Sequence, residues 1–202
     1  MNQIIKNTII LFVITLVAGI CLGTVHDITL DPIAQAQKAA ATKTYQEVYP
    51  DAASFDEPQE LADAVTAAAD SISEWGFGKV TINDAKEALD ASGNQIGYLI
   101  TSTSAESYGG NVQIAVGITN EGELTGIGFL SISDTPGLGM RAKEPDFKDQ
   151  FIGKKAENLE VTKTGASADN QIEAISGATI TSKAVTNATD AAIYFVANCL
   201  AQ

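Results

Sequence analysis

The chain has 202 residues, 45% of them hydrophobic, and carries 12 Lys and Arg against 25 Asp and Glu, a net charge of −13. That length supports one domain with a sizeable core plus an appendage, and the negative sign disfavours nucleic acid and anionic surfaces as partners. A single His at position 26 and two distant cysteines, Cys21 and Cys199, argue against zinc, haem or iron–sulfur ligation and against an internal disulfide.

The appendage comes first. No charged side chain occurs from Asn7 to Val25, and Ile9–Leu22 is almost wholly apolar. As a helix this stretch spans about 28 Å at ~1.5 Å per residue, close to the hydrocarbon thickness of a bilayer. No Ala-x-Ala site follows it closely and the uncharged run exceeds a usual signal-peptide core, which favours a retained anchor over a cleaved leader. Lys6 and the N-terminal amine lie on one side, Asp27 and Asp31 on the other, so positive-inside reasoning puts the N-terminus in the cytoplasm and the rest outside. Beyond residue 26 the balance is 11 Lys and Arg against 25 Asp and Glu.

Asp31-Pro32 reads as a helix start, with Asp as N-cap and Pro at the first helical position, and predicts a stalk helix over Ile33–Tyr49 that stops before Pro50. Residues 51–60 are acidic and turn-like; Leu61–Trp75 reads as a second, Ala-rich helix. The expected division is therefore 1–26 anchor, 27–60 helical stalk and linker, and 61–202 soluble domain.

Beyond Gly76-Phe77-Gly78 the pattern turns to β. Val80–Leu89 is ambiguous between helix and strand. Asp90–Asn94 is a strong turn, and strands are expected at Gln95–Thr103, Val112–Thr119 and Leu124–Ser133, joined by tight turns into an antiparallel meander. A short helix is expected at Lys143–Ile152, a strand at Leu159–Lys163 and a polar loop at Thr164–Gln171. From Thr181 onward Val185, Ala188, Ala192, Phe195 and Val196 recur at helical spacing, predicting a closing helix packed on the sheet. The fold class is α+β.

Two segments carry the chemistry. Ser176-Gly177-Ala178-Thr179 precedes the closing helix. On residue types alone it could be a helix cap made by Thr179, Thr181 or Ser182. It also suits a phosphate ester: unpaired amides and the positive dipole end lie at a helix start, Gly177 and Ala178 leave the approach open, and Lys183 could neutralise charge. The second segment, Thr135-Pro136-Gly137-Leu138-Gly139, has the Pro-Gly centre of a type II turn. A dinucleotide-binding reading of Gly137–Ala142 fails because Pro145 would break the helix that must follow.

Glu173–Ser182 resembles the flavinylation site of the FMN-binding domain found in the G subunit of Rnf electron-transport complexes and the C subunit of sodium-pumping NADH:quinone reductases. That pattern is an acidic residue, a small one, any residue, Ser or Thr, then Gly-Ala-Thr, matched here by Glu173, Ala174, Ile175, Ser176, Gly177, Ala178 and Thr179. Glu replaces the commoner Asp and Ala the commoner Gly. Thr135–Gly139, preceded by acidic Asp134, resembles the family's second signature, and Tyr108-Gly109-Gly110 a weaker third; with the anchor, the resemblance covers nearly the whole chain. A near-copy, Thr164-Gly165-Ala166-Ser167, has Val161 where Thr179 has Glu173 six residues upstream, and no helix pattern directly follows it.

The resemblance implies FMN joined to Thr179 by a phosphoester bond, installed by a separate flavin transferase that uses FAD and Mg²⁺. It implies a cofactor site made by Ser176, Gly177, Ala178, Thr179, Thr181 and Lys183 with Thr135, Pro136, Gly137, Leu138 and Gly139, and an FMN-binding domain over 61–202. The implied work is electron transfer as one redox subunit, together with other membrane subunits, of an Rnf-type ferredoxin:NAD oxidoreductase that moves Na⁺ or H⁺, the domain lying on the extracytoplasmic side. Thr179 is then an attachment point, and no catalytic or metal-binding residue is expected. The alternatives are the C subunit of the sodium-pumping quinone reductase and a membrane-tethered binding domain without cofactor. Trp75, Phe77 and Tyr98 are expected in the core or at its rim and not against a flavin.

Overall fold

The computed structural model describes residues 2–155 and 158–200. Helix α1, Asn2–Val48, contains the apolar run, and its apolar window is long enough to cross a membrane. Asp31-Pro32, expected as a helix start, is not one: Pro32 lies inside α1. Proline deletes one helical hydrogen bond at a cost of about 3 kcal/mol. The helix-favouring residues on both sides, apolar before and Ala-rich after, carry the helix across it.

The chain divides into two compact units, Met1–Thr42 and Lys43–Gln202. In the second unit lies a five-stranded antiparallel sheet in simple order: β1 Ser54–Asp56, β2 Val80–Leu89, β3 Gln95–Ser107, β4 Gly110–Thr119 and β5 Leu124–Ile132. Val80–Leu89 thus resolves as a strand: Val80, Ile82 and, past a bulge between Ile82 and Asp84, Ala85 join the main core, while Ala88 packs in a separate cluster with Tyr49 and Ala52. The turn-like reading of 51–60 missed β1, whose three residues are too few for periodicity and which is held by pairing Ser54 with Leu89 and Asp56 with Glu87.

The expected helix over Leu61–Trp75 is divided. Helix α2, Gln59–Ala68, places Leu61 and Ala68 in the core; a 3₁₀ turn, Ile72–Trp75, follows. Between them the Ser71 hydroxyl donates to the Ala68 carbonyl at 3.0 Å, offering the backbone a competing partner where the helix stops. The expected helix over Lys143–Ile152 is likewise a series of short pieces: a 3₁₀ turn Gly139–Lys143, α3 Pro145–Lys148 and a 3₁₀ turn Asp149–Phe151, with Pro145 forcing the restart. A small parallel pair, β6 Glu160–Thr162 with β7 Gln171–Glu173, flanks the polar loop.

The closing helix α4, Thr179–Phe195, lies on one face of the sheet and continues into a π turn, Val196–Leu200. Val185, Ala188, Ala192 and Phe195 pack with Ile100, Val112, Ile114 and Val116 in the main core. The Ser102 hydroxyl donates to the Ala188 carbonyl at 2.9 Å, seating the helix on β3. A separate apolar cluster joins Val48, at the end of α1, to Leu99 and Ala115, the intervening positions of β3 and β4. Strand β4 is therefore buried on both faces, which explains its nearly continuous apolar run. Residues 43–60, expected as stalk and linker, belong to this unit: Thr125 donates its hydroxyl to the Val48 carbonyl at 2.7 Å, and the Tyr49 hydroxyl donates to the Ile96 carbonyl at 2.7 Å.

Candidate functional site

Strand β5 ends at Ile132, and Asp134 follows with 8% exposure. Its Oδ1 accepts the Thr135 amide at 2.8 Å, and the chain then turns through Pro136 and Gly137, closed by the Leu138 amide on the Thr135 carbonyl at 3.1 Å. Gly137 at φ +76° supplies the left-handed third position of a type II turn, as Pro-Gly predicts. Gly139, next in line, presses its α-carbon against the Asp134 carboxyl so closely that a β-carbon there would collide with it.

The start of α4 is built differently from the expected side-chain cap. Ala178 is the N-cap residue, with no side-chain hydrogen bond to the helix, and Thr179 is the first helical residue. Ser182, one of the expected caps, instead accepts the Ile175 amide at 3.0 Å and donates to the Ala178 carbonyl at 3.0 Å, binding the approach segment to the first turn. Thr181 is fully buried and donates to Asp134 Oδ2 at 2.6 Å. The first helical amide bond is from Ser182 to Ala178, so the amides of residues 179–181 have no helical carbonyl to serve. Gly177 at φ +79° makes the left-handed step into the helix, with the Leu138 side chain close beside it.

The two signatures meet, although 47 residues separate Asp134 from Thr181. They enclose a cleft of about 490 Å³, within the usual size of small-molecule sites, lined by Thr135, Leu138 and Gly139 from the first and Gly177, Ala178, Thr179, Ile180 and Thr181 from the second. Tyr108 and Asp134 complete it. Of the expected site residues, Pro136, Gly137, Ser176 and Lys183 are exposed and do not line this cleft. Tyr108 at 73%, Ile180 at 55% and Leu138 at 43% exposure give it an apolar rim.

Asp134 stands beside the second signature in the sequence, outside the expected site, and the structure brings it in. Burial pushes its carboxyl up, but hydrogen bonds from Ser107, Thr181 and the amides of Thr135 and Gly109 outweigh that effect and lower it, so the group stays ionised. The visible signal is the acidic residue directly before Thr-Pro-Gly. Its partner Ser107, donating at 2.7 Å, has no signal of its own.

An FMN group fits this arrangement on three observations: the cleft's size, its exposed apolar rim for a flat ring, and the unserved amides at the α4 start for a phosphate. The near-copy at Thr164–Ser167 does not open a helix. Its Ser167 amide and hydroxyl both bond Gln171 Oε1, at 3.0 and 3.1 Å, in a loop that leads to β7 and not to a helix. Trp75 and Phe77 pack on Tyr194, with ring centroids 4.7 and 6.0 Å apart. Among the described residues no group of three or more His, Cys, Asp or Glu is placed to hold a metal ion.

Residues 107–194 match the FMN-binding domain family and residues 1–48 match the RnfG N-terminal region. The chain is 35% identical over 96% of its length to the G subunit of the Na(+)-translocating ferredoxin:NAD(+) oxidoreductase complex of Acetobacterium woodii, covering 92% of that protein. It is 30% identical over 95% of its length to the G subunit of the proton-translocating ferredoxin:NAD(+) oxidoreductase complex of Clostridium ljungdahlii, covering 91% of it. Among solved structures, Shewanella oneidensis NqrC aligns with a TM-score of 0.46 and 19% identity over 55% of this chain and 54% of that one. The matched domain begins at Ser107, the first donor to Asp134, and ends one residue short of Phe195, the last residue of α4. Similar along nearly its full length to the G subunits of two ion-translocating complexes, the chain belongs to the family of Rnf complex G subunits and carries that family's FMN-binding domain.

Proposed function

We propose that this chain is the flavin-bearing electron carrier of a membrane Rnf-type ferredoxin:NAD oxidoreductase complex, with FMN joined to Thr179 by a phosphoester bond. The observation that carries the reading is the single cleft made by the Thr135–Gly139 turn and the uncapped start of α4, with Thr179 on its wall. Thr179 is half-buried, while the neighbouring hydroxyls of Thr181 and Ser182 are fully buried and already donating. The accessible threonine is thus the one that the family pattern marks.

Attachment requires a separate flavin transferase with FAD as donor and Mg²⁺. The Thr179 oxygen forms a bond to the phosphorus of the FMN half, the pyrophosphate linkage breaks, AMP leaves, and the hydroxyl proton passes to the transferase or solvent. Once bound, FMN supplies the redox chemistry, and the chain supplies position. Gly177 and Ala178 keep side chains away from the phosphate, the amides of the first turn of α4 face its charge, and Tyr108, Leu138 and Ile180 offer apolar surface to the ring. Lys183, exposed one turn beyond Thr179, adds a cation in reach of solvent-borne charge and not a wall of the cleft.

The helix α1 anchors the domain to the membrane, with Lys6 on the cytoplasmic side and the unit beyond Lys43 on the other. Its partners are the other membrane subunits of the complex, which deliver and remove electrons while Na⁺ or H⁺ crosses. The test is made on the full chain expressed with its transferase, denatured and run on a gel under ultraviolet light. A fluorescent wild-type band and a dark Thr179→Val band are expected. A dark wild-type band from cells with active transferase overturns the reading.

A further inference from the structure

The first turn of α4 has neither a side-chain cap nor an acidic residue to complement its dipole. Left to itself, such a turn frays. The Ser182 hydroxyl ties the turn to the segment just before it, and a second hold comes from elsewhere in the chain: the Asp134 carboxylate takes the Thr181 hydroxyl at 2.6 Å, two residues beyond Thr179. The same carboxylate takes the Ser107 hydroxyl at 2.7 Å and the Thr135 amide at 2.8 Å. One buried charge therefore fastens three segments: the end of β3, the start of the 135–139 turn and the first turn of α4. Gly139 seats the carboxyl from below, where any side chain would displace it.

We propose that Asp134, acting through Thr181, is the positioning residue for flavin attachment: it holds the first turn of α4 against the 135–139 turn so that Thr179 is presented to the transferase. This rests on Thr179 being the acceptor. Hydrogen bonds to an ionised carboxylate are short and about twice as strong as neutral ones, so one such bond can order a helical turn that nothing local caps. Hydrogen bonds outweigh burial at Asp134 and lower its carboxyl, so the clasp is ionised and complete at neutral pH. The clasp also spends the Thr181 hydroxyl, removing the nearest competing threonine from reaction.

The experiment follows incorporation of flavin into the full-length apo-protein by purified transferase and FAD, reading the initial rate at saturating apo-protein, with circular dichroism and thermal melting on each variant. Thr181→Val keeps the shape and loses the donor; Asp134→Asn keeps the shape and loses the charge. Both are expected to lower the saturating rate at least tenfold with melting little changed, and Thr181→Ser, which restores a donor, to recover most of it. A folded Thr181→Val labelled at the wild-type rate, or Thr181→Ser falling as far as Thr181→Val, overturns the proposal. Ser107→Ala removes one donor from the carboxylate without touching α4, and is expected to cost threefold or more; an unchanged rate there overturns the proposal even should Thr181→Val fail to fold. Wild-type protein that stays dark, or Thr179→Val that still takes flavin, sinks the acceptor assignment instead. Wild type labelled on Thr179 with every clasp variant at its rate sinks the clasp alone.

Discussion

Asp190 lies on α4 at 4% exposure, and its Oδ1 accepts the Leu159 amide at 2.9 Å. Burial pushes its carboxyl up from the ordinary 3.8 to about 7, and the one amide hydrogen bond offsets only part of that. The folded chain therefore keeps a proton that the unfolded chain has released between those two pH values. Stability falls as pH rises across that window and levels off above it. The full shift of about three units corresponds to roughly 4 kcal/mol at ~1.36 kcal/mol per unit. Between pH 5 and pH 8 about two of those units are traversed, so this group alone costs about 3 kcal/mol. Asp190→Asn retains a carbonyl oxygen for the Leu159 amide and cannot ionise. Denaturant unfolding of the full-length chain in detergent, wild type beside variant at pH 5 and pH 8, isolates the effect because the other carboxylates are common to both. The variant is expected to gain about 3 kcal/mol on wild type between pH 5 and pH 8. Parallel pH profiles, with the difference the same at both ends, would falsify the assignment of a buried neutral acid.

Two further outcomes are expected. Gly128→Ala places a β-carbon 2.5 Å from the Thr44 and 2.6 Å from the Val48 side chain, beneath the last turn of α1, and should cost about 1–3 kcal/mol by the same unfolding measurement; wild-type stability would show that the helix end does not sit on β5 as described. For orientation, a cysteine placed at exposed Ser92, in the turn between β2 and β3, with Cys21 and Cys199 changed to Ser, should react with an impermeant maleimide in intact cells. Reaction only after the membrane is opened would reverse the orientation.

How much of the fold is legible depends on how much each residue's neighbours in sequence say about its surroundings. The strands from Gln95 to Ile132 and helix α4 declare themselves because their periodicities run for nine residues or more. Strands β1 and β7 have three residues each and exist through their pairing with β2 and β6, whereas β6 falls within the strand expected at Leu159–Lys163. Asp31-Pro32 reads as a helix start because its residues are those of one; the deciding fact is that helix-favouring sequence lies on both sides. The last turn of α1 shows the same limit. Val48 reads as the end of a stalk, and only the sheet reveals that it is buried against Leu99 and Ala115.

At the site, the two signatures are legible as strings and their relation is not. Thr181 is expected at the cofactor by the resemblance, two residues after Thr179, the proposed acceptor. The structure gives its hydroxyl to Asp134, a residue that lies just outside the Thr-Pro-Gly-Leu-Gly string. The pairing makes physical sense of both positions. A phosphate seat at a helix start needs its amides unserved, so a local side-chain cap would compete with the ligand for the same donors. Yet an uncapped first turn needs something to hold it. Taking the hold from a side-chain hydroxyl, through a carboxylate on another segment, fixes the turn while leaving its backbone amides open.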